Sequence, residues 1–212
     1  MAIGFMNTNK IILYLLIGLL LSFAVLPSAF AQKFEGGLLA GLCASQVGGD
    51  TYSGYDKAGV FAGGYVSLPL SSRVHIRLEL DYIQKGSRKN PVPEKDDYNS
   101  YLMQLGYVEM PLLLQFYMRS KLAAEVGPAI SFLLHYSEKF NQENAYAHQF
   151  AKQNLSIIAG ISYPVTEKIS AGLRTNNSLI SIRKDKFTGN IRRLWGYGQF
   201  NDVLILTLGY KL

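Results

Sequence analysis

The chain has 212 residues, enough for one domain, with 49% hydrophobic and 17% charged residues and a formal net charge of +6. That balance excludes a disordered chain, and with no recognition motif to accompany so modest an excess, nucleic acid is not an expected partner. The single cysteine, Cys43, excludes an internal disulfide and a Cys-rich zinc site, while 20 Gly, 14 Tyr and 11 Phe favour β-structure with tight turns.

Residues 1–31 read as a targeting segment. Lys10 supplies a positive flank, Ile11 to Val25 is an uncharged apolar run, Pro27 follows, and Ala29-Phe30-Ala31 places small residues where a signal peptidase reads. This predicts a secretory signal peptide removed before Gln32. The alternative is an uncleaved anchor, since Ile11 to Ala31 just reaches the ~20 residues of a spanning helix. A lipoprotein does not fit, because Cys43 lies far beyond the apolar run and follows the bulky Leu42.

From Gln32 onward the chain divides into strands. The first is about Phe34 to Ser45, and the second about Ala58 to Leu70. The third, VHIRLELDYIQK from Val74 to Lys85, has the plainest pattern. Val74, Ile76, Leu78, Leu80 and Tyr82 fall on one face, with His75, Arg77, Glu79 and Asp81 on the other, as a period of two requires. Further strands run about Tyr101 to Met118, Leu122 to Leu134, Phe150 to Tyr163, Ile169 to Ser178 and Tyr197 to Leu212. Long polar connections alternate with short turns, which puts every long loop at one end of an up-and-down sheet. An even strand count puts both termini at the other end.

The faces then select an architecture. In the later strands the apolar sets are continuous: Ala124, Val126, Pro128, Ile130, Phe132 and Leu134; Leu155, Ile157, Ala159, Ile161 and Tyr163; Leu204, Leu206, Leu208, Tyr210 and Leu212. The opposite faces are mostly small or polar, with Leu133, Ile158 and Ile205 as exceptions. A soluble calycin barrel would reverse this arrangement. The pattern predicts an all-β fold: an eight-stranded, up-and-down antiparallel transmembrane β-barrel over residues 32–212, with the apolar face toward lipid and the polar face inside. Strands one, two and four are less regular, and Pro111 in mid-strand requires a bulge or a missing ladder bond.

Three segments carry a family resemblance. LELDYIQKGS (Leu78 to Ser87), YVEMPLLLQFY (Tyr107 to Tyr117) and AEVGPAISFLL (Ala124 to Leu134) resemble, in order and spacing, the PorT-like outer-membrane β-barrel family. The C-terminal alternation of Tyr210 and Leu212 resembles the barrel-insertion signal, with Leu in the final place where an aromatic residue is commoner. The resemblance implies an eight-stranded barrel of the gram-negative outer membrane. One member is linked to protease secretion, so it implies an envelope or secretion assembly only in outline.

Strand parity puts Arg77, Glu79, Asp81, Glu109, Glu125 and Arg174 in the lumen. Eight strands enclose only enough space for side chains, and buried charges must be paired. A salt-bridge network around Arg77 and Arg174 is therefore expected to plug the barrel, and a narrow ion or proton path is the competing reading. The last long loop holds Arg183, Lys184, Lys186, Arg192 and Arg193 with Asp185 as its only acid, a set suited to lipopolysaccharide phosphate. Tyr82, Tyr101, Tyr117, Tyr163, Trp195 and Tyr197 are candidates for interfacial girdles, Tyr117 against its inward parity. His135 and His148, near Ser131, Ser137, Glu138 and Glu143, are the residues a lipid A-modifying enzyme would use, and His75 lies at the short-turn end. The expected protein is a non-enzymatic monomer without cofactor or metal. Its surroundings are outer-membrane lipid and lipopolysaccharide, its possible partners are envelope or secretion proteins, and both termini are periplasmic.

Overall fold

In the computed structural model, residues 34–52, 54–119, 121–145, 149–183 and 191–212 are described; the expected signal peptide lies outside them. Eight long strands alternate in side-chain direction as the sequence pattern requires. They are β1 (Glu35–Gly48), β2 (Lys57–Pro69), β3 (Val74–Lys89), β4 (Tyr101–Tyr117), β5 (Ala123–Phe140), β6 (Gln153–Pro164), β7 (Ile169–Ser178) and β8 (Phe200–Lys211). Each pairs antiparallel with its sequence neighbours, and β8 returns to β1 with Leu206 opposite Leu42, so the sheet closes. The three short turns share one end with the start of β1 and the end of β8, where Lys211 Nζ lies 2.6 Å from Glu35.

The strands toward the long loops run further than the hydrophobic pattern alone suggests. β3 continues to Lys89 and β5 to Phe140, where Glu143–Asn144 adds a two-residue strand. The fourth long loop contains a small hairpin of Ile191–Arg193 and Gly196–Gly198.

Pro111 is absorbed by a gap in the ladder with no shift of register. β3 and β4 pair at Leu78↔Leu112 and resume at Asp81↔Glu109 in the same register. Pro128 does the same to the β4–β5 seam, which passes from Pro111↔Ala129 to Leu114↔Val126. Proline offers no N–H to a ladder, so two residue pairs drop out at each gap while the register is kept. The true irregularity is elsewhere. Tyr107 faces Leu133 while Gly106 faces His135, so Leu134 is an extra residue in β5. This bulge reverses side-chain parity beyond it and turns Glu138 inward. The β2–β3 seam also stops at Phe61↔Ile83. Above it the Gln84 and Gly86 carbonyls accept hydrogen bonds from Cys43 Sγ and Ser45 Oγ of β1, each at 3.0 Å.

The interior is more apolar than a lining of small and polar groups. Phe61, Ile83, Met103, Leu105, Tyr107, Val203 and Ile205 form a buried cluster in the half nearer the long loops. These residues come mainly from the less regular strands. Bulky apolar side chains fill a narrow lumen with few polar groups to satisfy, the Tyr107 hydroxyl being the one such group among these residues.

Candidate functional site

Below that apolar layer, β3, β4, β5 and β7 aim charged side chains at the barrel axis. Arg174 of β7 is the hub. Its two terminal nitrogens donate to Glu79 Oε2 and Oε1 at 2.7 and 2.9 Å, and its Nε and Nη2 donate to Glu125, so one guanidinium on β7 engages Glu79 of β3, across the ring, and Glu125 of β5. Gln115 Nε2 donates to Glu125 at 2.9 Å. Arg77 sits nearer the short-turn end, 3.7 Å from Glu79, with its guanidinium 4.0 Å from the Tyr65 ring centroid. All these groups are buried, where ion pairs hold only with close geometry and satisfied hydrogen bonds.

A second unit surrounds Glu109. Lys85 Nζ lies 2.5 Å from its Oε1, Ser131 Oγ donates to the same oxygen at 2.5 Å, and Asn176 Nδ2 donates to Oε2 at 2.8 Å. The parity argument names Glu109 but passes over Lys85, although Lys85 shares the parity of Glu79 and Asp81 and is fully buried. Asp81 is inside with these groups and is 2% exposed, yet neither of its carboxylate oxygens has a hydrogen-bond donor among the described residues.

A third polar set closes the long-loop end. Arg183 Nη2 contacts both Glu138 oxygens at 2.8 and 3.0 Å, its Nε donates to Gln199 at 2.9 Å, and it lies over the Phe150 ring. Tyr101 Oη donates to Glu138 at 2.5 Å. Arg193 Nη2 lies 2.6 Å from both Asp202 oxygens, while its Nη1 donates to the Ser178 carbonyl.

These positions correct several sequence expectations. Arg183 is 5% exposed and committed to Glu138, and Arg193 is half-buried on Asp202, so neither turns outward for phosphate. Among the described members of that set only Arg192 is exposed, with its guanidinium 5.9 Å from the Tyr197 ring centroid. Lys184 and Lys186 lie outside the described residues. Tyr101 and Tyr117 do not belong to a girdle. Tyr101 is buried inside, and Tyr117 tilts against His75, ring centroids 4.6 Å apart, in a 280 Å³ vestibule shared with Arg77 at the short-turn end. Tyr163, Trp195 and Tyr197 are exposed. His135 lies on the outer wall against Gly106 and Tyr82, whereas Ser131 points into the lumen. The barrel wall therefore separates that histidine from that serine. His148 lies outside the described residues.

A closed antiparallel barrel with an apolar outer wall and its charges inside is an integral membrane barrel, because closure satisfies every strand edge in lipid. The chain belongs to the family described as outer membrane protein beta-barrel domain, whose sequence model matches residues 13–198. Neisserial surface protein A has a similar crystal structure, 12% identical, with a TM-score of 0.55 over 85% of this chain and 100% of that one. Ail of Yersinia pestis is 13% identical, with a TM-score of 0.46 over 85% of this chain and 99% of that one. No curated protein sequence matches.

Proposed function

We propose that this chain is a non-enzymatic, PorT-like barrel of a gram-negative outer membrane, structural or accessory to an envelope or secretion assembly, with both termini periplasmic. Its lumen is closed to solutes by the side-chain network. The supporting observation is the Arg174 fork, which ties β7 across the ring to β3, and to β5, beneath the buried apolar layer. A side chain held by four hydrogen bonds inside an eight-stranded barrel leaves no continuous water path. Outer-leaflet lipopolysaccharide is the proposed surrounding of the long loops, and Arg192 is the described side chain offered to its phosphates.

Planar-bilayer recording on the folded, purified protein tests this reading, with silence expected. Stable, ion-selective channels abolished by Arg77→Ala or Glu79→Ala would make the network a pore and overturn it. A changed lipid A acyl pattern in a knockout, reproduced by His135→Ala, would make the protein an enzyme.

A further inference from the structure

Among the described residues the central lumen holds seven charged side chains, and their signs do not balance. Arg77, Lys85 and Arg174 face Glu79, Asp81, Glu109 and Glu125. Each cation has a carboxylate partner: Arg174 with Glu125 and Glu79, Arg77 with Glu79, and Lys85 with Glu109. Asp81 is the acid left over. Lys57, a buried cation on β2, is six residues along that strand from Gly63, which pairs with Asp81. Six residues of strand is roughly 20 Å, and the Lys57 ammonium donates to the Ala58 carbonyl.

Every neighbouring element leaves Asp81 the same prospect. On β3 it is flanked by Glu79 and Ile83, both facing inward. On β2 it meets Gly63, where a Cβ would collide with its Oδ1, so the carboxyl lies flat against bare backbone. On β4 it is directly opposite Glu109, which is already taken by Lys85, Ser131 and Asn176. Arg174 of β7 has its donors on Glu79 and Glu125 of β5. Asp81 and Glu79, two residues apart on one face, are close enough for a side-chain hydrogen bond. Two ionised carboxylates are both acceptors and cannot form one. A single proton supplies the missing donor and removes the uncompensated charge at the same time.

We propose that the lumen binds one proton between the Glu79 and Asp81 carboxyls, so that its seven charged groups carry no net charge at neutral pH. The ligand is a proton and not a metal ion. Two guanidinium groups already lie on Glu79, and among the described residues no group of three or more His, Cys, Asp or Glu is placed to hold a metal. The inference rests on the ion-paired lumen, but its readout is independent of conductance.

Infrared spectroscopy of the folded protein in detergent is the test. The wild type should show a protonated-carboxyl C=O band at pH 7 that is lost in Asp81→Asn. Asp50→Asn should keep it, which separates the band from Asp50, a loop carboxyl that burial pushes up. Folding then takes up a proton that the unfolded chain does not hold. The wild-type folding equilibrium should weaken as pH rises from the ordinary carboxylate range through 7, by at most about tenfold per pH unit, until the folded site gives up its proton, and Asp81→Asn should lack this component. Should Asp81→Asn fail to fold, the wild-type pH series stands alone: stability should fall with pH while the band persists and level off where the band titrates away. Absence of the band from the wild type, or its persistence in Asp81→Asn, overturns the proposal. So does stabilisation at pH 7 by sodium or potassium over choline, which would make the occupant a metal cation.

Discussion

Arg174 does what a lysine could not do in its place. Its planar fork satisfies Glu79 with two parallel bonds and still reaches Glu125 through Nε. Truncating it leaves the buried Glu125 without a cation and Glu79 with only Arg77, at 3.7 Å. Arg174→Ala should therefore cost about 3–5 kcal/mol, the usual penalty for breaking a buried pair from one side. Replacing Arg174, Glu79 and Glu125 together by apolar residues of similar size should cost less, because the one charge it strands is Arg77, which keeps its place over the Tyr65 ring beside the short-turn vestibule. Urea unfolding from lipid vesicles measures both. Equal losses for the single and triple variants would mean that the site matters for its shape and not for its charges.

At the scale of the strand, period two carried most of the fold. Once β3 shows Arg77, Glu79 and Asp81 on one face, the same parity places Glu109, Glu125 and Arg174 without further information. Lys85 was equally legible by parity, but it stands where the hydrophobic run gives out. Tyr101 shares the parity of Glu109, and only its composition suggests a girdle. Glu138 was not legible, because the Leu134 bulge reverses parity through a backbone event that no local residue type announces. Arg183 follows β7 in irregular chain, where there is no period to read. The β4–β5 seam also has a feature invisible in one strand alone. A Cβ on Gly127 would fall inside the van der Waals shell of the Leu112 carbonyl oxygen, which is backbone and cannot turn aside. Gly127→Ala should destabilise the barrel by roughly 1–3 kcal/mol through overpacking, read from the same urea curves. Pro128→Ala, next to it, removes no ladder donor and should cost less. The reverse order would place the close contact elsewhere.

For the whole molecule, the sorting of residues between the two faces of the wall determines the solvent it needs. Leu42, Leu78, Leu80, Leu112, Leu173, Leu206 and Leu208 all point outward and exposed, on five different strands around the circumference. A soluble protein rarely leaves a continuous apolar surface of more than a few hundred Å², whereas a barrel in lipid requires one. The two environments assign opposite costs to the same substitution. Leu206, 60% exposed, sits midway along β8 between Leu42 and Leu173, near the middle of the span. In water, a charge at so open a position would change stability by no more than about 0.5 kcal/mol. In a bilayer, Leu206→Arg should cost about 2–4 kcal/mol, falling toward about 0–1 kcal/mol for the same change at Tyr210 near the strand end. Folding titrations into vesicles measure this depth dependence. A flat profile from Leu206 to Tyr210 would mean that this wall does not face hydrocarbon.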